Sequence, residues 1–204
     1  MEVQILTDPF IGTDKRPYTM TSRFKPLAPS EMTDAQHKAY DAIISGPRGG
    51  ARGPFNALLR SPDLADRVQR VGEYVRFRSS LPAHLNELAI LVVARYWTAQ
   101  YEWYAHRELA MKAGLAPSIA DAIAERTRPS GMKDDEAAVY DFCFELHEKK
   151  SVGDAAYASA LKLFGEQGVI DLIGASGYYT MVSMVLNVDR HPLPEGVTPL
   201  PEIE

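Results

Sequence analysis

The chain has 204 residues, 22 Lys+Arg against 27 Asp+Glu for a formal net charge of −5, and a single cysteine, Cys143. A chain of this length suits one domain and hides roughly 70% of its extended surface, so it needs neither disulfide nor structural metal to hold a core. One cysteine excludes an internal disulfide scaffold and any CxxC redox or zinc motif, and the mildly acidic balance argues against a nucleic-acid surface.

The opening MEVQILTDPF lacks a basic region followed by an apolar run, so no signal peptide is expected. The longest apolar run, Leu88 to Ala94, is far too short to span a bilayer. The expected setting is cytoplasmic, with no membrane partner. Residues 1–30 are proline-punctuated without a sustained period and read as an extended arm on the surface or on a neighbouring subunit. Thr33 with Gln36 three residues on is a capping box, and the helix it starts should reach about Ile44. SGPRGGARGP then makes a loop in which Arg48 and Arg52 sit among Gly46, Gly49, Gly50 and Gly53. It reads either as a flexible connection or as an anion-binding rim, because glycines let the backbone approach a ligand. It lacks the spacing of a GxxxxGK[ST] phosphate loop.

Ser61-Pro62-Asp63 supplies a capping hydroxyl, proline at the first helical position and an acid in the first turn. The helix through about Phe77 carries Leu64, Val68, Val71 and Val75 as an amphipathic stripe. Leu81 to Gly114 is the organising stretch, because it runs about thirty residues after Pro82 without another proline or glycine. Its centre is apolar all round and should be buried, while its second half turns polar and aromatic, with Gln100, Glu102, Tyr104, His106 and Arg107. Pro117 opens a short helix through Ile123, and the polar run from Glu125 to Asp135 should face solvent. Glu136 to Lys150 is helical, with Cys143 packing as a small apolar residue and His147 in the last turn, where the dipole favours an imidazolium. Ala155 to Phe164 and Gly168 to Val188 form the last helices, and Gly174 and Gly177 are read as permitting close helix crossing. The tail from 189 to 204 holds too many prolines for regular structure. With no strand alternation, the chain reads as all-α: one domain over 1–204 with an arm (1–30) and a proline-rich tail (189–204).

Glu102 and His106 lie one helical turn apart, about 6 Å along an axis, and can interact directly or hold a ligand between them. A carboxylate can fix an imidazole's tautomer and raise its basicity, giving a general base near neutral pH. The bland alternative is a polar pair on a helix surface. Trp103 and Tyr104 beside it, with Trp97 and Tyr101, read as pocket lining or as ordinary core. Tyr178 or Tyr179 could place a hydroxyl in a cavity, and spacing does not choose between them.

The segment from FNALLRSPD to LAMKAGL, about residues 50–126 with NELAIL…YEWYAHRELAMKAGL at its heart, resembles the carboxymuconolactone decarboxylase family, which shares the fold of the alkyl hydroperoxidase D proteins. The resemblance implies an all-helical subunit in a dimer, trimer or hexamer. In the peroxidase-like branch a glutamate precedes a CxxC and a histidine. These fall here on Glu87, Ala99, Glu102 and His106, so both thiols are missing and thiol–disulfide chemistry is excluded by the usual route. The decarboxylase branch is the better match. It implies acid–base chemistry without metal or organic cofactor on a small lactone or unsaturated acid of aromatic catabolism. On that reading His106 transfers the proton, Glu102 orients it, Glu87 is a second acid or base, and Arg48 or Arg52 holds a substrate carboxylate. The competing readings are a metal-assisted or residual peroxidase, and a non-catalytic helical oligomer that binds a small ligand or partner through Trp97 and Trp103. Glu87 and His106 are 19 residues apart, about 28 Å along an unbroken helix, so one shared site requires a break near Tyr96–Gln100 or a second subunit. The resemblance implies the break.

Overall fold

The computed structural model describes residues 21–202. All regular structure among them is helical, in the order α1 (Asp34–Ile44), α2 (Phe55–Leu58), α3 (Pro62–Phe77), α4 (Ala83–Tyr96), α5 (Gln100–Lys112), α6 (Pro117–Ala124), α7 (Asp134–Lys149) and α8 (Asp154–Asp189). The expected all-α class holds. α4 is the axis of the fold, packing against α5, α6, α7 and α8. Its residues from Leu88 to Arg95 are all buried, which is why its sequence is apolar on every side. Leu85, Leu88, Ile90 and Leu91 are wholly buried, and each such side chain contributes about 1.5–3 kcal/mol.

Two apolar clusters meet on α4. Leu85, Leu88 and Leu91 face α6, α7 and the first half of α8, whereas Ile90 and Val93 face α1, α2, α3 and the second half of α8. α8 bends at Gly165, whose φ of 66° and ψ of −177° leave the helical region, as the two-segment reading expected. By length and composition α8 could cross a membrane, yet 56% of its most apolar window is buried inside this fold.

The local signals explain the helix starts. The Thr33 hydroxyl accepts from the Gln36 backbone N–H, and the Gln36 side chain accepts from the Thr33 N–H at 2.9 Å. α3 begins at Pro62 as expected, but the Ser61 hydroxyl makes no cap bond. The stripe on α3 also needs correction: Val68 and Val75 are buried with Ala65 and Gly72, while Leu64 and Val71 are 46% and 51% exposed. Gly174 and Gly177 do not mark tight crossings within the chain, since a side chain at Gly177 would meet nothing and one at Gly174 would only touch Val75.

Residues 1–20 of the expected arm lie outside the described residues. The remainder packs on its own chain, where the Asp189 carboxylate accepts from the Phe24 N–H at 2.9 Å and Asn56 donates to the Phe24 carbonyl at 2.7 Å. The tail lacks regular structure, as its prolines predict, but it is anchored. Leu200 is buried, and its backbone N–H and carbonyl are both taken by the Gln100 side chain, at 2.7 and 3.2 Å.

Candidate active site

The organising stretch is two helices, and the break between them makes the site. Trp97, Thr98 and Ala99 separate α4 from α5, with Thr98 at a φ of 44°. The turn is stapled by the Thr98 N–H to the Arg95 carbonyl at 3.0 Å and the Ala99 N–H to the Ala94 carbonyl at 2.8 Å. Asn187 from α8 donates to the Trp97 carbonyl at 2.8 Å. α5 therefore folds back along α4, and the 19 residues between Glu87 and His106 no longer separate them.

The His106 ring lies between two carboxylates, with Nδ1 2.7 Å from Glu87 Oε2 and Nε2 2.9 Å from Glu102 Oε1. His106 and Glu102 are buried and Glu87 nearly so. Burial alone would push the imidazole down, but the Glu102 and Glu87 carboxylates outweigh it and raise it from 6.5 to about 9. At neutral pH His106 is thus an imidazolium, with Nδ1–H donating to Glu87 and Nε2–H donating to Glu102. In that state the ring has no lone pair to accept with and can act only as a proton donor.

A cavity of about 260 Å³ opens on one end of this row. Glu102 and His106 line it and Glu87 does not. Arg48 and Arg52 reach it from the glycine-rich loop, Arg76 reaches it from α3, and Tyr178 and Tyr179 come from α8. The glycine-rich loop thus lies at the rim of this cavity. Arg48 Nη2 donates to the Tyr178 hydroxyl at 3.2 Å, and the Arg48 guanidinium sits over the Phe55 ring at 5.0 Å. Tyr179 packs edge-on against His106 at 5.0 Å, and its buried hydroxyl has no partner. Burial pushes the Tyr178 phenol up and the Tyr179 phenol well up, so both stay protonated and able to donate.

Trp103 and Tyr104 do not line this cavity. They follow Glu102 by one and two residues, which on a helix turns them about 100° and 200° away from it. Trp103 is buried in the core with α4 and α7, and both residues border a separate recess beside Val197 and Thr198 of the tail. Trp97 is half-buried and donates from Nε1 to Thr180 at 3.3 Å. Cys143 is wholly buried, with its thiol pushed up to about 12 by burial. As a thiol at neutral pH it cannot start disulfide exchange.

Arg76 and Gly72 escaped the sequence reading. Arg76 sits in an RFR run that looks like a solvated face. Gly72, in the middle of α3, carried the usable signal: a Cβ there would collide with the Tyr178 hydroxyl and the Arg48 guanidinium. At an ordinary helical site Gly→Ala would stabilise by about 1 kcal/mol. Gly72→Ala is expected to destabilise by about 1–3 kcal/mol, the cost of overpacking, as read by urea unfolding. An increase in stability would mean that Arg48 and Tyr178 do not close on α3.

Among the described residues no cluster of three or more His, Cys, Asp or Glu has an arrangement suited to a metal ion. Both His106 nitrogens face carboxylates, so ligation by this ring would require giving up one of those contacts. No protein-family model matches the chain, and no curated protein is significantly similar to it.

Proposed function

We propose that the chain is a cofactor-independent acid–base enzyme, a decarboxylase/lyase or an isomerase, acting on a small unsaturated or lactone carboxylic acid. The observation that carries this reading is a buried carboxylate–imidazolium–carboxylate row that ends on a 260 Å³ cavity lined by three arginines. The helix break that assembles the row supports the resemblance to carboxymuconolactone decarboxylases and to an alkyl hydroperoxidase D-like fold.

The geometry favours a different division of labour from the one the spacing suggested. Glu102 faces the cavity and is the proton acceptor. His106 holds it ionised and replenishes the proton, and Glu87, away from the cavity, positions His106. In an isomerisation, Glu102 removes a proton from the carbon next to the double bond. The electron pair spreads onto the substrate carboxylate, which Arg48, Arg52 and Arg76 neutralise, and the proton returns at the far carbon. In a decarboxylation, one carboxylate leaves as carbon dioxide, and the electron pair of the broken bond moves through the double bond onto the lactone carbonyl or a second carboxylate that stays on the substrate. The His106 proton, passed through Glu102, is delivered to the carbon that regains it. A screen of lactones and unsaturated acids from aromatic catabolism, run on wild type and Glu102→Gln, tests the assignment. Tight binding without turnover by any of them would favour the ligand-binding alternative.

The cytoplasmic setting and the homo-oligomer belong to the same proposal. Leu64, Val71, Tyr74 and Phe77 on α3 and Ile170, Ile173, Met184 and Val188 on α8 are all at least 40% exposed. Exposed apolar surface of this kind on two adjoining helices suits a second copy of the chain. Gly177 lies on the same exposed side of α8, where its missing side chain leaves room for a neighbouring helix. An Ile170→Glu, Ile173→Glu double variant is expected to reduce the mass seen by light scattering to that of one chain. A wild type that is already monomeric at high micromolar concentration would rule this surface out.

A further inference from the structure

Far along α4 from Glu87, a second, smaller cavity holds two polar groups that nothing among the described residues satisfies. It has a volume of about 30 Å³, between Val92, Arg95 and Tyr96 of α4, Ile123 of α6, and Tyr140, Phe144 and His147 of α7. Arg95 is only 4% exposed and its Nε has no partner, while Nη1 reaches only the Thr98 hydroxyl at 3.2 Å. His147 is 9% exposed and its Nε2 likewise has no partner. Burial pushes the His147 imidazole down, with Lys150 acting in the same direction, so the expected imidazolium at this helix end is instead a neutral ring. A neutral ring with its proton on Nε2 still donates.

The charges around the cavity do not cancel. Arg126 and Lys150 at its edge join Arg95 as cations, against Glu148, which pairs with Arg126 at 2.6 Å, and Glu125, whose carboxylate acts on Arg95. Three cations against two carboxylates leave one positive charge. No carboxylate among the described residues lies within 4 Å of Arg95, and a guanidinium cannot shed its proton. A charge partly withdrawn from solvent and without a carboxylate partner favours a counter-ion beside it. Water would satisfy the hydrogen bonds and leave the charge. The volume is roughly twice what one water requires, and the other walls are apolar: Val92, Ile123 and the Phe144 ring.

We propose that this cavity binds one small monovalent anion of the halide class between the Arg95 guanidinium and the His147 imidazole. Arg95 supplies the charge and its unpartnered Nε–H, and His147 supplies Nε2–H. The Tyr96 ring, tilted 34° against His147 at 5.0 Å and capped by Lys150, closes one side. The ion would lie one turn from Thr98, beside the break that aligns the two catalytic helices. The inference is independent of the function proposed for the larger cavity.

Two measurements on the full-length protein test it. Replacing sodium gluconate by sodium chloride at constant ionic strength should raise the thermal midpoint saturably, by about 3–6 °C at a tenfold excess over Kd. Crystals soaked in sodium bromide should show an anomalous peak between Arg95 and His147. Arg95→Met should abolish the chloride response. If that variant does not fold, the bromide experiment on wild type decides alone. No saturable response together with bromide only on the surface, or an ordered water between the two side chains, would overturn the proposal.

Discussion

Unfolding free energy is expected to fall by about 3 kcal/mol between pH 6.5 and pH 9, because the folded chain holds a proton on His106 that the unfolded chain releases. The folded imidazole titrates near 9 against 6.5 for the free side chain. The stabilisation is therefore complete below pH 6.5 and is lost as pH rises through about 9. No other group with a resolved shift acts strongly in that window. His147, lowered by burial, contributes stability that is present above its unfolded value and lost on acidification, so it acts below 6.5. Asp171 and Asp189, held low by hydrogen bonds from Ser80, Tyr74, Ser22 and Phe24 that outweigh their burial, act lower still. Cys143, raised from 9.0 to about 12, begins to matter only above pH 9. Against a total of about 5–15 kcal/mol, a loss of 3 is large. Urea unfolding at half-unit steps would show it, with a slope near 1.4 kcal/mol per pH unit in mid-window. His106→Gln should flatten the profile. A wild type whose stability does not change from pH 6.5 to 9 would mean that the row is not an ion triplet.

The signals that were legible in the sequence are those carried by neighbouring residues. Thr33 with Gln36, Pro62, Pro117 and the proline tail each fix the local backbone by their own chemistry, and the structure places helix starts and irregular chain where they say. The apolar centre of α4 was legible because burial on every side removes polar residues from every position. What could not be read locally is what tertiary contacts impose. Trp97-Thr98-Ala99 contains neither glycine nor proline. Its turn is held by Arg95 from one side and Asn187 from the other, 90 residues away in the chain. Only the family resemblance and the 28 Å span pointed to it. Spacing found Glu102 and His106 but not that both meet the cavity while Glu87 lies behind them, since that depends on where α3, α8 and the glycine-rich loop place the other walls. Arg76 had no local mark at all. His147 shows the opposite failure: a sound helix-end argument was overridden by burial.

Glu102→Gln is expected to lower turnover about 10²–10⁴-fold with little change in KM, since it removes the proton acceptor and leaves the arginines that bind the carboxylate. The amide is isosteric and can still accept from His106 Nε2–H, so the fold and the cavity should survive. Glu87→Gln makes the sharper comparison. Glu87 does not line the cavity, yet it holds Nδ1 at 2.7 Å. Replacing it leaves the chemistry in place and lowers the His106 value, which should move the alkaline limb of the pH–rate profile to lower pH. At its new plateau the variant should retain more activity than Glu102→Gln. Arg76→Met should differ from both, raising KM clearly and lowering kcat only modestly, because its guanidinium holds the carboxylate in the ground state and meets added charge in the transition state that Arg48 and Arg52 share. The three variants together separate a proton acceptor, a positioning residue and an anchor. A Glu102→Gln enzyme with wild-type kcat would leave His106 to act alone and would end the assignment of Glu102 as base. An unshifted profile in Glu87→Gln would show that the second carboxylate is structural and that the working unit is the pair on α5.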